Sequence, residues 1–159
     1  MFDSKSFRQV LGQFPTGVTI ITSKLDEQTY GFTANSFTSV SLDPPLVLFC
    51  MNKDSEGYPL ISASKVFAVN FLSRAQEELS NRFANPTLDM DQRYEGLDYQ
   101  SAETGCPILP DTLGYLDCKV HQLLDGGDHW ILIGEVIDIQ AKAGDPLLYF
   151  QGRYASVEK

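Results

Sequence analysis

The side chains through which this chain could do chemistry are a hydroxyl-rich run, one histidine behind a double glycine, and scattered thiols and carboxylates. The run is Gly31-Phe32-Thr33-Ala34-Asn35-Ser36-Phe37-Thr38-Ser39-Val40-Ser41-Leu42-Asp43-Pro44-Pro45. Ordinary connections take about 4–6 residues of turn formers. This one displays Thr33, Asn35, Ser36, Thr38, Ser39 and Ser41 beside backbone N–H groups, a donor set suited to a polar, partly anionic ligand. Its plainer reading is a hydroxyl-rich surface loop. His129 leaves the turn Asp125-Gly126-Gly127-Asp128, where a side chain can project over a cavity; the alternative there is a solvated turn histidine. His121, the other histidine, falls mid-strand among apolar neighbours and reads as a structural or edge residue.

Other chemistries are poorly served. Glu77-Glu78 lie on a solvated helix face and Asp89 with Asp91 in a loop, so neither makes an acid/base pair. Cys118 and His121 resemble half of a zinc site with no second pair. The dinucleotide fingerprint GxGxxG, the P-loop pattern, GxSxG and HExxH are absent. Cys50, Cys106 and Cys118 have no CxxC spacing and fit buried, reduced thiols of a cytosolic protein.

Strands must position these groups. Phe7, Val10, Leu11 and Phe14 recur at helical spacing, which predicts an amphipathic helix capped by Asp3 or Ser4. Residues 17–22 predict a β-branched strand, 23–29 a polar hairpin loop and 30–36 the returning strand. Residues 46–51 are nearly all apolar, as in a strand buried on both faces. Ser55 is the expected cap of a helix reaching Ser64, followed by a strand over 66–72. Ser73 and Gln76 form a capping box ahead of a helix that aligns Leu79 and Phe83. Residues 85–111 are expected to form an excursion with short strands and a binding or subunit-contact role. Strands at 115–124, 130–140, 147–150 and 154–157 complete the set. About seven strands with few helices predict one mainly β domain over 1–159, an antiparallel barrel closed to remove exposed edges.

Composition narrows the partners. Of the 159 residues, 43% are hydrophobic and 21% charged, which are globular values, and the formal net charge is −9. That balance argues against nucleic acid and against anionic membrane surfaces. No apolar run approaches the roughly 20 residues of a membrane span. The start, Met-Phe-Asp-Ser-Lys, lacks the basic-then-apolar pattern of a secretion signal, so a cytoplasmic protein is expected.

In this order the pieces resemble the flavin reductase-like family, small split-barrel NAD(P)H:flavin oxidoreductases that supply reduced flavin to two-component monooxygenases. The resemblance runs through Phe14-Pro15-Thr16-Gly17-Val18, Gly31 to Phe37, Ser39 to Val47, Phe67-Ala68-Val69-Asn70, Phe83-Ala84, Gly127-Asp128-His129 with Gly134-Glu135-Val136, and Leu147 to Phe150 with Gly152 and Tyr154. It implies a split antiparallel β-barrel of the flavin reductase, FMN-binding type, binding FMN or FAD and using NADH or NADPH as hydride donor, with no metal. The absence of an obvious Arg cluster leans to NADH.

By the same resemblance, Thr33, Ala34, Asn35 and Ser36 lie along the flavin ring, and Ser39 and Ser41, flanking Val40, reach the ribityl and phosphate. Cys50, Asn52, Lys53 and Ser55 belong to a second loop at the phosphate, where Lys53 and Ser55 offer the cation and hydroxyl a dianion needs. Phe83 packs beside the flavin or in the helix core, Tyr154 and Arg153 approach the flavin, and His129 contacts the nicotinamide. A homodimer with the cofactor between subunits and a partner monooxygenase are also implied. The competing readings are a stably FMN-bound electron carrier or oxidase of the same barrel, and a non-catalytic flavin-binding module.

Overall fold

The structure, a computed structural model, describes residues 1–158. In chain order its elements are α1 (Ser4–Leu11), β1 (Thr16–Gly17), β2 (Thr19–Leu25), β3 (Gln28–Ala34), β4 (Thr38–Leu42), β5 (Pro45–Asn52), α2 (Tyr58–Ser64) and β6 (Val66–Phe71). A 3-10 turn (Arg74–Gln76) then runs into α3 (Glu77–Ala84), followed by α4 (Met90–Tyr94), β7 (Gln100–Ser101), β8 (Pro107–Ile108), β9 (Gly114–Gly126), β10 (His129–Ala141), β11 (Leu148–Phe150) and β12 (Arg153–Ala155).

Seven antiparallel strands form one sheet in the order β3-β2-β6-β9-β10-β5-β4. Its two edge strands, β3 and β4, are consecutive in sequence and joined by Asn35, Ser36 and Phe37 alone. Four Cα steps span at most about 14 Å, so the sheet must curl until its edges approach. Among the described residues no ladder joins those edges. The barrel expected to be closed is therefore split along this seam, because the connector itself occupies it. β1, β11 and β12 form a separate three-stranded sheet.

Inside the curl, alternate positions of each strand meet: Ile21, Phe49, Met51, Phe67, Val69, Cys118 and Leu132 are buried together. A second cluster, Val18, Ile20, Leu72, Leu79, Phe83 and Leu147, lies beneath α3. Asn70, fully buried, donates from Nδ2 to Ile20 O (3.2 Å) and accepts from Leu109 N (2.9 Å), while Thr22 Oγ1 donates to Pro107 O (2.6 Å). These bonds pin the 85–111 excursion to the sheet at polar groups that burial would otherwise penalise.

Several local expectations change. The polar 23–29 segment is mostly strand: β2 and β3 pair out to Leu25↔Gln28, leaving Asp26-Glu27 as a two-residue turn with Asp26 at φ 52°. The hydroxyl-rich run contains an edge strand, β4, paired with β5 and bulged at Val40. β5 buries Val47, Phe49 and Met51 inward but leaves Leu48 and Cys50 half-exposed, so only one of its faces is core. Ser55 does not cap α2, whose N-cap is Gly57. The Ser73/Gln76 capping box forms as expected, and the excursion also holds α4, capped by an Asp89/Gln92 box. Asp3 caps α1, whose stripe is exposed in the single chain, Val10 at 70% and Phe14 at 75%.

Candidate functional site

The seam between β3 and β4 concentrates the polar groups of the 31–45 run, and several are already engaged. Thr33 Oγ1 donates to Ser80 O on α3 (2.6 Å), and the carbonyl of Ala34 accepts from Thr19 Oγ1 (2.7 Å). Ser36 Oγ accepts from Cys50 N (3.0 Å) and donates to Cys50 O (3.2 Å). β4 begins at Thr38, opposite Leu48. Beyond it the edge groups of Cys50 have no strand partner, and the Ser36 hydroxyl takes that place. Asn35, exposed at the head of the connector, has no hydrogen-bond partner for its side-chain amide among the described residues.

Asn35 stands between two cavities. One, about 720 Å³, is walled by Phe14, Val18, Phe71 and Leu147, with Thr16, Asn35 and Ser36 as polar members. The other, about 250 Å³, is bounded by Thr33, Ala34, Asn35, Ser80, Ala84, Tyr149 and Tyr154. Thr16 Oγ1 is a buried polar atom with no hydrogen-bond partner among the described residues. Apolar walls, an orphaned hydroxyl and an unpartnered amide fit a flat ligand with one hydrogen-bonding edge, as a flavin ring has. Sequence reasoning had Thr16 within a motif but assigned it no role; only burial without a partner marks it.

From Cys50 the register leads on to the histidine. Two residues along β5, about 7 Å, Asn52 pairs directly with His129 of β10. Asn52 Oδ1 accepts from Asp54 N (2.8 Å), and Ser55 N donates to Asn52 O (3.0 Å), which closes a tight loop. Ser55 Oγ lies 3.1 Å from Tyr30 Oη. Gly57 follows because a Cβ there would stand 1.8 Å from the Tyr30 ring. The His129 side chain is 41% exposed, and its Nδ1 meets Asp128 Oδ1 at 2.6 Å. That contact holds the Asp128 carboxyl below its ordinary value. Gly127 (φ 84°) makes the turn that presents the pair. His121 lies exposed in a bulge of β9, well along the strand.

Not every expected residue joins this site. Phe83 is core: it is 1% exposed, with its ring edge-on to Tyr94 (5.1 Å), because α3 turns it onto Gly31; Ala84 faces the cavity instead. Lys53 is adjacent, but its ammonium is turned to Asp125 Oδ2 (2.6 Å) and over the Trp130 ring (4.7 Å). Ser39, Val40 and Ser41 lie on β4. Ser41 is opposite Leu46, four residues or about 13 Å from Cys50, so only an elongated ligand reaches both. Tyr154 Oη sits 2.7 Å from Ser80 Oγ and 3.1 Å from Asn81 Oδ1, closing the smaller cavity. The Arg153 side chain is exposed on β12 and lines neither cavity.

Comparison with known proteins shows the family of this chain. Residues 11–158 match the sequence model of the flavin reductase like domain. The reductase subunit HsaB of a flavin-dependent monooxygenase from Mycobacterium tuberculosis is 42% identical over 159 residues, covering 98% of this chain and 83% of that protein. SmoA of Agrobacterium fabrum, an FMN reductase (NADH), is 41% identical over 152 residues, covering 96% of this chain and 85% of that one. Among solved structures, the NADH:FAD oxidoreductase SgcE6 of Streptomyces globisporus, in complex with NAD and FAD fragments, matches with TM-score 0.92 at 38% identity, over 99% of this chain and 96% of that one.

Proposed function

Because this chain belongs to the flavin reductase-like family, we propose that it reduces FMN or FAD with a reduced nicotinamide and passes the reduced flavin to a partner monooxygenase. The observation that carries this reading is the seam. An unpartnered Asn35 amide stands at the junction of two cavities, and the Ser36–Cys50–Asn52 line runs from there to His129. When bound, flavin accepts at N5 the hydride leaving nicotinamide C4. The protein's task is then to hold two rings in contact and keep water out.

Asn35 and Thr16 would meet the ring's polar edge, with Ala34 and Thr33 beneath it and Phe14, Val18 and Phe71 excluding water. Ser39, Ser41, Asn52 and Ser55 would take the ribityl and phosphate. His129, its Nδ1 held by Asp128, would present Nε2 to the nicotinamide as an orienting group, with no acid/base step assigned to it. NADH is the expected donor, in line with the relatives named for it.

A homodimer belongs to the same proposal. It is supported by the exposed stripe of Phe7, Val10, Leu11 and Phe14, the last also a wall of the larger cavity. A cytoplasmic location is supported by three free thiols. Anaerobic oxidation of NADH and NADPH by the purified protein, with FMN, FAD or no added flavin, tests the activity. NADH oxidation that depends on flavin is expected; none with either flavin would overturn the reading. Sedimentation of wild type and Val10→Glu tests the dimer, which the charge should dissociate.

A further inference from the structure

The 52–55 loop and the β9–β10 hairpin tip are fastened together at Lys53, through both its backbone and its side chain. Lys53 N donates to Asp128 O (3.0 Å), and Lys53 Nζ meets Asp125 Oδ2 at 2.6 Å. The same ammonium lies 4.7 Å from the centre of the Trp130 ring, and Trp130 in turn stacks on Tyr58, the first residue of α2, at 5.3 Å and 14°. Lys53 is the one Lys or Arg within residues 50–58 and 125–131.

Trp130 and Asp125 are direct register partners, so both project to the same face of the hairpin. His129, next in the strand, projects to the other. The Lys53 ammonium therefore grips the hairpin on the face opposite the imidazole. The turn is open at Gly127, where an added Cβ would meet nothing within 4 Å. Beyond the backbone pairing of His129 with Asn52 and Gly126, the tip is therefore held by Lys53. Asp125 also accepts from Gly127 N (3.1 Å), so the Lys53 grip passes directly into the turn that carries Asp128 and His129.

We infer that Lys53 is a positioning residue for His129, clamping the hairpin tip through Asp125 and Trp130, and is not a ligand of the flavin phosphate. The inference rests on the reading of His129 as the nicotinamide contact. In an exposed setting, with Lys53 at 30% and Asp125 at 69%, such a clamp is modest in strength. Its loss should appear as a change of about three- to tenfold.

The test is Lys53→Met, measured for NADH KM and kcat and for the affinities of FMN and of riboflavin, which lacks the phosphate. The clamp predicts a KM for NADH raised about three- to tenfold, kcat nearly unchanged and an unaltered FMN-to-riboflavin affinity ratio. Asp125→Asn should reproduce the KM effect, and Lys53→Met in a His129→Ala background should add nothing. A collapsed FMN-to-riboflavin ratio would make Lys53 a phosphate ligand and overturn the inference. So would a full additional effect in the His129→Ala background, or an unchanged KM. Wild-type protein that fails to oxidise NADH with any flavin would instead sink the functional reading itself, before the variants are compared.

Discussion

Ser36 Oγ completes the hydrogen bonding of Cys50, accepting from its N–H at 3.0 Å and donating to its carbonyl at 3.2 Å. One side chain thus stands in for a missing strand at the point where β4 stops short of the end of β5. The same contact fixes the distance between the Asn35 connector and the strand that leads to His129.

Ser36→Ala removes both bonds and leaves a partly buried N–H and C=O without that partner. A loss of about 1–2 kcal/mol in stability is expected, together with flavin affinity weakened about five- to tenfold as the seam loosens. Urea unfolding and a fluorescence titration with FMN check the two effects. Unchanged affinity would place the flavin away from the seam.

His129→Ala should raise the KM for NADH, or slow flavin reduction, by about tenfold, which is roughly 1.4 kcal/mol. The flavin Kd should stay within about twofold. Stopped-flow reduction at varied NADH makes the measurement. Lost flavin binding with normal reduction kinetics would reverse the assignment.

Phe83→Ala separates core from cofactor contact. Truncating a ring this deeply buried should cost about 3–5 kcal/mol, seen as a lowered midpoint in thermal or urea unfolding. Under conditions where the variant stays folded, its flavin Kd should match wild type. A selective loss of flavin affinity with stability intact would return Phe83 to the flavin site.

The thiols should differ in reactivity. Burial pushes Cys106 up to about 11 and Cys118 further, while Cys50 is half-exposed and raised less by the same desolvation. At pH 8 a disulfide reagent should therefore modify Cys50 alone in the native protein, and saturating FMN should slow it. Raised folded values mean that the stability tied to the two buried thiols is complete below about pH 8.5. It is lost as pH rises through their folded values, so the unfolding midpoint should fall in alkali. Mass spectrometry of the modified protein and a pH series of melts decide the matter.

The chain's patterning alone determined most of the strands, the Ser73/Gln76 cap and the Gly-Asp-His turn, because β-branched alternation, capping residues and paired glycines act over a few neighbouring residues. It did not determine edge strand β4 or the strand ends within 23–29. The resemblance carried by Gly31 to Val47 and by His129 was likewise readable, since it lives in residue types and order. What only the tertiary structure decided is which polar groups remain available to a ligand. Thr33, Ser36 and Lys53 looked like donors awaiting one, yet each is engaged by a residue at least 14 positions away: Ser80, Cys50 and Asp125. Among the described residues the buried Thr16 hydroxyl and the exposed Asn35 amide are left without a partner for the same reason. A hydroxyl's partner depends on how strands distant in sequence come into register, and on where a curled sheet leaves its edges unpaired. Local sequence carries neither.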